Sequence, residues 1–137
     1  MFRILTLFGV ILTLIIIVLG SYIRLSGADL VLNNQNLVDV IIGRSHVYLA
    51  AILGLLVLLL GLFSWRQLQC RIAAITASLI LIVLVGLQAA LGIWAKAIVD
   101  MPIVITTHVL LVMTTFWLLF WLFLRVNPAI AGRISIT

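Results

Sequence analysis

Carboxylates are scarce in this chain: 137 residues hold only three, Asp29, Asp39 and Asp100, and no glutamate. None of them, and no thiolate, stands at ligand spacing beside a histidine, so a zinc centre would lack ligands. One cysteine, Cys70, excludes an intrachain disulfide. It reads as a free reduced thiol in a cytoplasmic turn. A serine or cysteine nucleophile has no supporting pattern, and there is no strand pattern, low-complexity tract or strong internal repeat. Charge is thin as well, eight basic residues against the three acids. The basic residues are scattered at the ends of apolar runs rather than gathered in a patch. That distribution speaks for membrane topology and against nucleic acid as a partner.

What fills the chain is hydrocarbon. Hydrophobic residues make up 66% of it and the mean hydropathy is +1.47, more apolar surface than a soluble domain of this size can hide. A membrane span needs roughly 20 apolar residues, and four such runs follow one another, at about 4–23, 41–64, 72–95 and 103–124. The first is too long for the h-region of a signal peptide, about 7–15 residues, and reads as a membrane helix. The predicted fold is an all-α integral membrane protein, one four-helix bundle over residues 1–137, multi-pass in a cell membrane and most simply the prokaryotic cytoplasmic one. Residues 26–39 form a polar loop with a short interfacial helix expected at 37–42, 67–71 form a tight turn, and 96–102 a short loop. Pro102 stands where a helix can begin without losing a needed donor. The aromatic cluster Phe116, Trp117, Phe120, Trp121 and Phe123 reads as an interfacial, lipid-facing belt.

The ends of the runs differ in charge. Arg3, Arg66, Arg71, Arg125 and Arg133 share one side; Arg24, Arg44, Lys96 and all three acids share the other. The positive-inside rule predicts both termini in the cytoplasm.

Only two histidines are present, His46 and His108. His46 lies about six residues into the second run from the outer side and His108 about five into the fourth, at nearly equal depth. Intramembrane polar groups are expensive and face partners inside a bundle, and two imidazoles at one depth suit axial ligation of a heme iron. On a helix advancing about 100° per residue, Gly43, Ala50, Gly54 and Gly61 fall within about 20° of one line, His46 about 60° away. This is a smooth groove where a flat group can lie beside the imidazole. In the first run Gly9, Thr13, Gly20 and Arg24 share a packed face leading to a charged tip. Arg24, Arg44 and Lys96 are candidate partners for heme propionates. Gln88 is a candidate for a bond across helices or to a ligand.

Several stretches, taken in order, resemble the heme A synthase family. They are Gly20-Ser-Tyr-Ile-Arg24-Leu-Ser-Gly27, Ser45-His46, Ala50-Ala-Ile-Leu-Gly54, Gln88-Ala-Ala-Leu-Gly92, and Pro102 through Thr107-His108-Val-Leu-Leu. The resemblance implies a membrane enzyme oxidising a methyl group of heme O to the formyl of heme A. It implies heme b, heme O or heme A as cofactor or substrate, and a respiratory oxidase or heme O synthase as partner. Family members are usually tandems of two such units, one the substrate site and one holding heme b; a single unit implies a homodimer. Three departures stand out. Gly43 takes the place of the family's glutamate, Val47 breaks its His-Arg pair, and its cysteine pair is missing from residues 26–39. Asp39, two turns outward on the face of His46, is the substitute candidate for the glutamate. The rival readings are a non-catalytic heme b electron carrier or small oxidase subunit, and a heme-free assembly protein whose histidines only pack.

Overall fold

The computed structural model describes residues 1–26, 37–66, 71–97 and 102–127. These form four helices, α1 (Phe2–Leu25), α2 (Leu37–Ser64), α3 (Arg71–Ala97) and α4 (Pro102–Arg125). All four are long and apolar enough to cross a membrane. In lipid a helix satisfies every backbone N–H and C=O within itself, which is why apolar runs of this length take that form. The predicted interfacial helix at 37–42 is not a separate element: it is the first turn and a half of α2. No proline or cap separates 37–42 from the apolar run, and Asp39 in the first turn complements the positive end of the helix dipole. Arg71 and Lys96, expected in connections, lie in α3. Pro102 opens α4 as expected.

Each helix packs against two others in the cyclic order α1, α2, α3, α4, and among the described residues the backbones of the diagonal pairs α1/α3 and α2/α4 make no close approach. Neighbours run antiparallel: Gly9 of α1 lies against Leu56 of α2 and Leu119 of α4, while Gly20 lies against His46. One end of the bundle therefore carries Arg3, Arg66, Arg71 and Arg125 (the arginine end), and the other carries both histidines (the histidine end).

Packing differs sharply between the halves. The core, with Phe2, Leu12, Val57, Leu60, Leu81 and Leu119 among its members, lies mainly towards the arginine end. No described residue in 17–25, 37–52, 82–94 or 102–111 is fully buried. Within the core, most hydroxyls are satisfied by their own helices: Thr13 donates to the Gly9 carbonyl at 2.7 Å, Ser64 to Gly61 at 2.6 Å and Thr115 to Leu111 at 2.9 Å, while the buried Oγ of Ser78 has no partner among the described residues. At Gly9 α1 lies close to two helices at once, since a Cβ there would stand 3.2 Å from both Leu119 and Leu56 side chains. The aromatic belt of α4 holds Phe116 and Phe120 stacked with centroids 6.3 Å apart. Trp117 is exposed, and the Arg125 guanidinium lies 5.4 Å over the Trp121 ring.

Gly9→Leu is expected to destabilise the bundle by about 1–3 kcal/mol through overpacking. Gly43→Ala, whose Cβ meets nothing within 4 Å, is expected to be neutral or to stabilise by about 0.5–1 kcal/mol through helix propensity. Thermal melts in detergent check both, and equal melting temperatures for the two variants would contradict the packing described.

Candidate functional site

His46 lies in α2 and His108 in α4, the diagonal pair of the square, so the two imidazoles approach from opposite corners of the loosely packed half. Each is backed by a glycine of the preceding helix. A Cβ on Gly20 of α1 would meet Cε1 of His46 at 3.1 Å and Nδ1 at 3.6 Å; one on Gly92 of α3 would meet Cε1 of His108 at 3.8 Å. Gly20 and Gly92 each stand five residues before the last residue of their helix. The equal depth expected of the two rings is thus matched by the glycines that seat them. The rings lie within electrostatic range of one another across the bundle.

His108 lies against the Gln88 backbone, and its Nδ1 is buried with no hydrogen-bond partner among the described residues. Metal-ligating histidines almost always anchor one nitrogen on a carbonyl or carboxylate, which fixes the ring and leaves the other lone pair free. Both rings are half-buried. Among the described residues, no three His, Cys, Asp or Glu side chains gather at one point. Two imidazoles are too few ligands for a tetrahedral ion but suffice for iron in a macrocycle that brings its own equatorial nitrogens.

The other candidates divide by where the helices carry them. The Gln88 side chain is committed to α4: its amide donates to the Leu111 carbonyl at 3.1 Å and to the Thr115 hydroxyl. Of the two roles expected for it, the structure gives the bond across helices, just below the histidines. Arg24 is exposed, one turn beyond Gly20 on nearly the same face. Arg44 is exposed too, and lying two residues from His46 it is turned by about 200° to the other side of α2. Asp39 is half-buried, on the face of His46 and about 10 Å further out along the axis. Lys96 falls near the end of α3; its side chain lies outside the described residues.

The glycine line of α2 needs correction. Gly54 and Gly61 do not border the histidine: their built Cβ positions meet Val85 and Ile82 of α3 at 3.7 and 3.1 Å. The 60° offset from His46 turns that line towards α3, while His46 faces α1. The seat of His46 is Gly20, visible in the sequence only as part of a packed face. Which neighbouring ring a glycine accommodates is decided by the partner helix.

A sequence model of the family described as cytochrome oxidase assembly protein matches residues 34–134. The match takes in α2, α3 and α4 and both histidines. No curated protein and no solved structure matches the chain. With all but α1 and the chain ends inside the match, the chain belongs to the cytochrome oxidase assembly proteins, the heme A synthase family.

Proposed function

We propose that this protein is a compact heme A synthase-type membrane protein that holds a heme between His46 and His108 and oxidises the heme O methyl group to the formyl of heme A. The observation that carries the reading is His108. It lies against the Gln88 backbone, its Nδ1 is buried without a partner among the described residues, and it is within electrostatic range of the chain's other histidine. When bound, the heme iron supplies the redox chemistry. The chain's own part is to hold and orient. His46 and His108 fix the depth and plane of the group, and Gly20 and Gly92 give their rings room. Arg24 and Lys96, at the outer ends of α1 and α3, pair with the propionates, and the apolar walls keep water out. Arg44, turned away on α2, anchors the interface. By the charge bias both termini face the cytoplasm. A homodimer supplies the second unit that the tandem arrangement implies, and a heme O synthase or the respiratory oxidase is the neighbouring protein.

One observation favours a second reading, that of a heme b electron carrier. Gly43 leaves an open position where the family resemblance implies a glutamate, and Asp39 stands about 10 Å away along the helix. Feeding heme O with an electron donor and separating the extracted pigments decides between them. Heme A is the expected product, and unchanged heme O would leave the carrier reading standing.

His46→Ala and His108→Ala are each expected to lower heme retention at least tenfold, read from the Soret and alpha bands of purified protein. Full heme content in both variants would end the ligation scheme.

Gly20→Leu is expected to push the His46 ring out of place and lose heme while helix content by circular dichroism is unchanged. Gln88→Leu removes the bond to α4 but leaves the backbone against which His108 lies. It is therefore expected to keep its heme and lose about 0.5–1.5 kcal/mol of stability in thermal melts. A Gln88→Leu protein without heme would make that side chain part of the cofactor site.

A further inference from the structure

A groove runs down the lipid-facing side of the bundle between α2 and α3, in the arginine-end half and away from both histidines. Its wider part, about 440 Å³, is lined by Gly61, Ser64, Trp65 and Ile75 among others. It continues past Leu58 and Ile82 into a narrower part of about 250 Å³ at Gly54 and Gly86. Leu58, Leu62 and Leu79 on its rims are exposed. Missing side chains help to form it: a Cβ on Gly86 would meet nothing within 4 Å.

Its length and its end are informative. From Ser64 to Gly54 α2 advances about 15 Å, one leaflet's share of a hydrocarbon core about 30 Å thick. At the interfacial end the Arg71 guanidinium lies 5.8 Å over the Trp65 ring and that of Arg66 lies 5.9 Å over Phe63. Both arginines are exposed. Of the chain's three acids the described one, Asp39, lies in the first turn of α2, at the other end of that helix. An apolar channel one leaflet long, ending in two cations with no acidic side chain beside them among the described residues, is complementary to a lipid bearing a negative headgroup.

We propose that this groove is a binding site for an anionic phospholipid, with one acyl chain along Gly61, Leu58 and Gly86 and the phosphate paired by Arg66 and Arg71. Aromatic rings beneath the two guanidiniums hold them at headgroup level.

The test uses the full-length protein in phosphatidylcholine bilayers, titrated with phosphatidylglycerol or phosphatidylcholine carrying brominated acyl chains. The readout is the tryptophan quenching that disappears in Trp65→Phe. Half-maximal quenching is expected at a mole fraction on the order of tenfold lower for phosphatidylglycerol. The double variant Arg66→Gln/Arg71→Gln is expected to bring the two lipids within about twofold of one another. Gly86→Leu, which fills the groove without a clash, is expected to weaken quenching by both. Equal quenching of the unaltered protein by the two lipids overturns the proposal and needs no variant. A preference that survives loss of both arginines also overturns it. So does a Gly86→Leu protein with unchanged quenching and an altered oligomeric mass, which would assign this face to a second copy of the chain.

Discussion

Lipid removes the hydrophobic effect from the space between membrane helices, so close contact and hydrogen bonds must hold this bundle together. The chain meets that constraint in one half only. Towards the arginine end α1 drops onto α2 and α4 at Gly9, and leucines, small residues and back-bonded threonines fill the square. Towards the histidine end the same four helices continue with no fully buried side chain. Neighbouring helix axes pack about 8–10 Å apart, so the corners of such a square are about 11–14 Å apart. At the histidine end the described side chains are half-buried or exposed rather than closed into a core.

Polar groups in this setting show which atoms are structural. An unsatisfied polar group in hydrocarbon costs several kcal/mol, and most of those here are accounted for locally. The threonines bond their own helices, and the Gln88 amide crosses to α4. Against that pattern, Nδ1 of His108, Oγ of Ser78 and Oδ1 of Asn127 are buried without a partner among the described residues. Of these the imidazole nitrogen is the one suited to ligate a metal, and the proposed ligation draws on it.

The four spans were legible because the signal is a run of hydrocarbon long enough to cross a bilayer, and the two histidines stood out as candidates because the chain has no others. Element ends were less legible. A helix leaving the membrane continues into polar sequence as long as nothing stops it, so Leu37, Arg71 and Lys96 joined helices. Facing was the least legible. A helical wheel places Gly54 and Gly61 on one line, but only the position of α3 shows that they meet Val85 and Ile82 rather than a cofactor. Gly20 was readable as a packing residue and not as the seat of His46, since that role exists only once α1 and α2 are side by side. The lipid-facing groove had no sequence signature, because it is a shape made by two helices together.

Binding and oxidation place different demands on this chain. Holding a planar group needs two ligands across a diagonal and room behind each ring, the roles proposed above for His46, His108, Gly20 and Gly92. Oxidising a methyl group at the edge of that plane also needs a group placed beside the reacting carbon. The helix position where the family resemblance puts a glutamate is Gly43, with open space around it. Asp39 shares the face of His46, yet its place about 10 Å outward puts it at the rim rather than beside the ring. Gly43 supplies no side chain there, and a Cβ built on it meets nothing within 4 Å, so the proposed oxidation asks of this chain a group that the proposed binding does not.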